Sequence, residues 1–426
     1  MNVDVGMAIA VAGLLIGGMG AWWGRKALIP QKQGQTQDRW VAERQKLNYS
    51  RAKLSKYAAK LHVAANSQIC TIGDSSMLAM AGWSHHPVPL HEFLVTLTNG
   101  PVSEQADFLD AARHVLPIAR HGRRYTRYSE ALEDLGRPTL FDNRLSYRLV
   151  DLAVSPEGRT HLQFSTCRYF EMLNVAEPLA HEFANSVSGE SFETASASRL
   201  WSQLPLRKML KSDPLRMRDR VILPSIGTLL LRVTDDGSAS FLLHRRDTAA
   251  VAIAGGHYSL VPAGVLQPSS ASPASIHKDL DLWRSIQREA AEELLGVEEA
   301  LGEGGIPIDY ENDEPYVSLD RARADGDLSI WSLGWGIDPL TLTLELLTVL
   351  TVKAATYDRV FNRVVQQNPE GQVVAAGRTP AGLTGFAFTS EVVDGLFATG
   401  ELSPVAQACL KTALRYKAVL IPASAL

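Results

Sequence analysis

Cysteine is scarce. The chain of 426 residues holds Cys70, Cys167 and Cys409, far apart and with no CxxC pair. Neither a disulfide framework nor a structural zinc site is expected from that spacing, and a reducing compartment suits it. His181-Glu182 lacks the second histidine of an HExxH zinc helix, so it reads as a helix surface. His85, His86 and His91 cluster before a strand beside Pro87 and Pro89 and read as a polar loop in preference to a metal site. There is no internal repeat and no DNA-reading helix. Charge is modest at 21% of residues, against 46% hydrophobic, which excludes a disordered chain.

The net charge of −4 hides an asymmetry. Residues 25–60 carry ten Lys/Arg against Asp38 and Glu43, so the remainder carries −12. A basic collar beside an acidic body points to an anionic surface at one end and metal ions at the other. One basic stretch stands apart, IARHGRRYTRY, with Arg120, Arg123, Arg124 and Arg127 between tyrosines. It reads equally as a phosphate- or nucleic-acid-receiving patch and as an ordinary loop.

Val5 to Trp23 is free of charge. As a helix it would span about 28 Å, close to a bilayer's hydrocarbon core. Trp22 and Trp23, then Arg25 and Lys26, sit where interfacial anchors belong, and MNVD before the run carries no Lys or Arg. These features predict one transmembrane helix over 5–23, contacting the lipid bilayer, at the cell membrane with the body in the cytoplasm. Gly13 and Gly17 form a GxxxG that suits pairing of two anchors into a homodimer.

Residues 24–61 then read as a basic juxtamembrane linker and helix. Leu28 to Gln37, with Pro30 and Gly34, is expected as linker. Asp38 to Leu61 follows as a helix with Trp40, Leu47, Leu54 and Leu61 on one apolar edge. Contact with anionic lipid is preferred over a solvated stalk. Residues 62–200 read as a separate α+β domain of unassigned role. From Arg220 the pattern turns to strands: VILPSIGTLLLRV, a DDG turn, and SFLLHRR as a hairpin. A strand near Tyr258 to Val261, a helix from about Leu280 to Leu295, a strand from Leu340 to Val352 and two terminal helices follow. The expected fold class is α/β, an α/β/α sandwich at the C-terminus.

The chemistry lies on the central helix, in Arg288-Glu289-Ala290-Ala291-Glu292-Glu293-Leu294-Leu295-Gly296-Val297. Glu289, Glu292 and Glu293 are spaced i, i+3, i+4, so their carboxylates share a face and repel. A hard divalent cation offsets that repulsion. REAAEELLGV resembles the second half of the Nudix box, and Pro262-Ala263-Gly264 resembles the Pro-Gly-Gly that opens it after a strand. The resemblance covers about residues 218–418. It implies a Nudix-like domain with Mg2+ (or Mn2+) and a water-activating carboxylate among Glu289, Glu292 and Glu293. Arg288 would be their partner, Gly264 the turn glycine, and a nucleotide-type small molecule the ligand.

Three features depart from the family's pattern. Ser270 stands where it has a Glu, SSASPAS lengthens the box, and one extra leucine precedes Gly296. Two functions are therefore expected. One is a hydrolase of a nucleoside diphosphate linked to another moiety. The other is a catalytically weak or inactive Nudix-fold sensor relaying to the membrane or a partner. Ile72-Gly73-Asp74-Ser75 resembles the Gly-Asp-Ser of SGNH esterases, but no Asp-x-x-His follows and the segment reads as a turn.

Overall fold

A computed structural model describes residues 5–99, 105–187, 197–246, 257–298, 307–379 and 382–422, with only the backbone described over 5–31. The first element, α1 (Val5–Ala65), runs without a break. The linker expected at Leu28 to Gln37 is absent, and Pro30 and Gly34 lie inside the helix. Among the described residues no helix is long and apolar enough to cross a membrane. The transmembrane helix and the single-pass membrane location expected from residues 5–23 are corrected accordingly. The side chains of Val5 to Trp23, including the GxxxG, lie outside the described residues.

The apolar edge of α1 forms as expected, but it faces protein. Trp40, Leu47, Leu54 and Leu61 are all buried. Leu47, Leu54 and Leu61 pack with Ala180, Phe183 and Ala184 of α2 (Tyr169–Ser186), and with Trp201 and Leu204. Two cations that were expected on a lipid-facing helix also turn inward. Arg44 Nη1 donates to Glu177 Oε2 at 2.9 Å, and Arg51 Nη2 to Glu177 Oε1 at 3.0 Å. Glu177 is fully buried on α2. Burial would raise its pKa, but Arg51 and Arg44 hold it below the usual carboxylate range. Lys46, Lys53, Lys56 and Lys60 stay exposed.

His181 and Glu182, expected on a helix surface, are buried in the same junction. His181 joins Tyr128 Oη at 3.0 Å to Glu43 Oε2 at 3.1 Å. Glu43 titrates at about 2: partial burial raises its pKa, while hydrogen bonds from His181, Arg39 and Asn185 lower it further. Glu182 accepts from the backbone N–H groups of Leu206 and Arg207, at 2.8 and 2.9 Å. His181 and Glu182 have thus each met partners, which makes their burial tolerable.

The sheet is built from both halves of the chain. Strands β1 (Ile69–Thr71), β2 (Leu78–Met80) and β3 (Val88–Pro89) come from the N-terminal half. The C-terminal half supplies β7 (Ser225–Val233), β8 (Ala239–Phe241), β11 (Ala263–Val265), β12 (Leu328–Ile337), β13 (Leu344–Lys353) and β16 (Phe386–Ala387). The order is β1-β2-β12-β13-β7-β8-β16, with β3 beside β12 and β11 beside β7. β13 lies parallel to β7, with Leu346 opposite Ile226 and Leu350 opposite Leu230. Both strands are apolar on both faces, as a central parallel pair must be.

Three smaller sheets accompany it, one of them the antiparallel pair Gly377–Thr379 and Gly382–Thr384. β4 (Leu94–Leu97), β5 (Leu145–Val154) and β6 (Thr160–Arg168) form a second. β9 (Leu243–Arg246), β10 (Tyr258–Ser259), β14 (Gln367–Asn368) and β15 (Gly371–Val374) form the third.

The expected α/β/α sandwich, preceded by a separate α+β domain and one transmembrane helix, is thus corrected. Helix and strand are mixed around a curled sheet, and β2 of the N-terminal half bonds to β12 through Leu78 and Ile337. The physical cause is the apolar demand of β12. Its Leu333, Trp335 and Ile337 are completely or almost completely buried, and residues 69–89 help to cover them.

Removing Glu177 tests the junction. Glu177→Ala strands two buried guanidinium groups, and urea unfolding is expected to show a loss of roughly 3–5 kcal/mol. A loss below about 1 kcal/mol, the scale of an exposed pair, would mean that α1 is not held this way.

Candidate functional site

The expected central helix forms as α3 (Leu282–Leu295). Asp281 caps its start, accepting from Arg284 N at 2.9 Å, and Gly296 ends it in the left-handed region at φ 68°. A side chain at Gly296 would be strained by that φ and would meet Val365. Trp283, Ile286, Ala290 and Leu294 sink into the core that also holds Ile226, Leu230, Leu346 and Leu350. This burial fixes the rotation of the helix, and with it the direction of the glutamates.

Arg288 is the anchor of the site. Its guanidinium is almost entirely buried. Nη1 donates to Tyr310 Oη at 2.7 Å, while Nη2 donates to the Gln267 carbonyl at 2.7 Å and to Ser285 Oγ at 3.3 Å. Asp279 Oδ1 lies 3.7 Å from Nη1 and accepts from Tyr310 Oη at 2.8 Å. Burial alone would lower the Arg288 pKa, but Tyr310 and Asp279 raise it above its ordinary value. Asp279 also accepts from Ser269 N at 2.7 Å and from the Ser269 hydroxyl. One guanidinium therefore ties the helix to the loop that precedes it and to the segment around Tyr310.

Ser270, which stands where the resembled box has a Glu, is buried and donates to Ser275 Oγ at 2.8 Å. The lengthened segment folds as a short helix, Pro273–Lys278, capped by Ser272. It carries Asp279 to the arginine. Asp279 and Tyr310 were missed in the sequence. A carboxylate nine residues ahead of Arg288 was a visible signal for Asp279, whereas Tyr310 lies across a loop and has no local signature.

The three glutamates divide. Glu289 stands against Gly264 of β11, so closely that a Cβ at 264 would overlap the carboxylate. Glu289 and Glu292 border a cleft with Arg144, Gln267, Ser270 and Arg288. Glu293 is buried and turned the other way, its Oε2 accepting from Ala263 N at 2.8 Å and its Oε1 3.6 Å from His244 Nδ1. Asn368 links these last groups: Nδ2 donates to the Glu293 carbonyl at 3.1 Å, and Oδ1 is 3.2 Å from His244 Nε2. His244 and Asn368 were also missed, since they come from strands far away in sequence.

Among the described residues no group of three or more His, Cys, Asp or Glu is arranged to hold a metal ion. Two carboxylates on one cleft nonetheless suit Mg2+. That ion keeps several waters and is held by one or two carboxylates plus substrate phosphates, not by an all-protein cage. The donors are hard oxygens, as the ion requires.

Two other sequence candidates, Ser75 and His85, resolve as packing. Ser75 Oγ donates to the Ile72 carbonyl at 2.7 Å within the β1–β2 turn. His85 Nε2 is 2.9 Å from the Trp335 carbonyl. In IARHGRRYTRY, Tyr125 and Tyr128 are buried and Arg124 bonds the Leu116 carbonyl, while Arg120, Arg123 and Arg127 point outward. No protein-family model matches the chain, and no curated protein matches it.

The Arg288 anchor has a direct test. Asp279→Asn keeps the shape but leaves a buried guanidinium without its counter-charge, an expected loss of roughly 3–5 kcal/mol in denaturant unfolding. Arg288→Met in the same chain is expected to restore much of that loss, because the two groups are coupled. Purely additive losses would contradict the pairing.

Proposed function

We propose that residues 218–418 act as a Nudix-type hydrolase on a nucleoside diphosphate linked to another moiety. The observation that supports this best is the seating of Glu289 on Gly264 while buried Arg288 locks the helix behind it. A backbone strand with no Cβ lets carboxylate and main chain approach together. Mg2+, bound at Glu289 and Glu292, would supply charge neutralisation for a diphosphate and polarisation of a water.

The chain's own residues do the rest. Glu289 and Glu292 hold the carboxylate face toward the cleft, and Arg288 fixes that face. Glu292, on the cleft, would take a proton from the attacking water, while buried Glu293 holds the Ala263 N–H and braces the strand behind Gly264. The new bond joins the water oxygen to phosphorus, and the bond broken is the phosphorus–oxygen bond of the diphosphate bridge. The products are a nucleoside monophosphate and the phosphorylated second moiety.

A sensor that binds nucleotide without turnover is the second reading. Two observations favour it: Ser270 is sequestered among serine hydroxyls, and Glu293 is engaged by a backbone N–H.

The test uses the full chain, because the sheet draws on both halves. With Mg2+ and a panel of nucleoside diphosphates linked to a second group, nucleoside monophosphate release is expected. It should fall at least about a hundredfold in Glu292→Gln, the scale of losing a positioned acid–base or charge-stabilising group. Gly264→Ala should also lower it, by pushing the Glu289 carboxylate aside, with the melting temperature kept. Release no greater than in Glu292→Gln would end the hydrolase reading. Ligand-induced thermal stabilisation without release would favour the sensor.

A further inference from the structure

The carboxylate cleft is not the largest opening near Gly264. A cavity lined by Gly264, Ile226, Met77 and Met172 reaches His257, and His257 also lines a wider cleft of about 690 Å3. That size is within the range of small-molecule sites. One wall of the wider cleft is α1, through Asn48, Tyr49 and Lys53; the other is the four-stranded sheet, through Arg245 of β9 and Gln372 of β15. The helix read from sequence as a juxtamembrane element therefore walls a pocket together with the C-terminal half.

The chemistry of the lining is distinctive. Lys53 and Arg245 make no ion pair among the described residues; each sits near a tyrosine ring, Tyr57 at 5.7 Å and Tyr258 at 5.8 Å. Glu401 is the lone acid on the lining. Tyr49 is 84% exposed, an aromatic surface with no protein neighbour covering it. His257 is only 8% exposed, and its ring nitrogens lie near the Glu401 and Asn48 carbonyls without a well-formed hydrogen bond to either.

Burial and nearby Arg51 lower the His257 pKa, although the Glu401 and Asn48 carbonyls lie close enough to oppose the shift. A neutral imidazole offers one donor and one acceptor; nearby carbonyls can serve only the donor, and burying the acceptor without a partner is unfavourable. A ligand that donates to that nitrogen removes the penalty.

We propose that this cleft binds the nucleoside monophosphate portion of a nucleotide ligand. Lys53 and Arg245 take the phosphate, Tyr49 stacks on the base, the amides of Asn48 and Gln372 bond polar edges, and His257 bonds the ligand from below. Cationic groups bind the phosphate of nucleotides while aromatic faces accept any base, so this lining selects the class without selecting the base. The inference rests on the nucleotide reading above for its ligand class, but not on hydrolysis.

The test is isothermal titration of the full chain with AMP, GMP, CMP and UMP, and with inorganic phosphate, all in EDTA. Binding of at least one monophosphate is expected, with phosphate alone much weaker. Lys53→Gln and Arg245→Gln should each weaken it about tenfold, the worth of one charge-assisted hydrogen bond. Both residues are exposed, so folding is kept, and an unchanged melting temperature checks this. Tyr49→Ala should weaken binding too.

No binding of any monophosphate would overturn the proposal. So would equal affinity in wild type and the Lys53 and Arg245 variants, or phosphate binding as tightly as a monophosphate. Binding without turnover would remove the hydrolase and keep the cleft. Turnover with monophosphate affinity unmoved by those variants would do the reverse.

Discussion

A guanidinium cannot be buried without charge and hydrogen-bond partners, and Arg288 is buried. That constraint organises the candidate site. To satisfy one side chain, the Gln267 carbonyl, Tyr310, Ser285 and Asp279 converge from separate segments. Their convergence sets the path of the loop after β11, and the path of that loop brings Gly264 against Glu289. Truncating one partner of such a cluster is far more damaging than never having built it, because what remains is a buried, uncompensated charge. The glutamates thus inherit their placement from a residue that need not touch a ligand.

A second buried charge cluster performs the same service for the N-terminal half. Glu177 accepts from two arginines of α1, one turn pair apart along the helix, and His181 and Tyr128 complete the network. Together with β1 and β2, this joins the first ninety or so residues to the sheet that carries the candidate site. The consequence for function is that α1 is part of the wall of a cleft beside that site. Its exposed Lys53 and Tyr49 face that cleft as its buried Arg44 and Arg51 face the core.

Much of the local structure was legible. The hairpin after Arg220, the helix ending at Gly296 and the apolar edge Trp40-Leu47-Leu54-Leu61 all follow from periodicity and capping residues. What lay beyond reach was the partner of each apolar surface. Hydrophobic burial is non-directional, so the edge of α1 reads the same whether lipid or protein covers it. The pairing of Leu78 with Ile337 spans more than half the chain and leaves no local mark.

His181-Glu182 misled for the opposite reason. Charged and polar residues are mostly exposed, and only the presence of Glu43, Tyr128 and two backbone N–H groups makes their burial tolerable. At the site, the box-like residues located Glu289, Glu292, Glu293 and Gly264, but the division of labour among the glutamates required the Ala263 N–H, His244 and Asn368, which arrive from three other strands.

The proposed divalent-metal site joins Glu289, set against Gly264, with Glu292 on the same cleft. The most direct measurement is anomalous scattering from crystals of the full chain soaked with Mn2+. The account predicts a peak within coordination distance of both carboxylates, absent in Glu292→Gln. A peak elsewhere, or none at this cleft while the crystals remain intact, would contradict it.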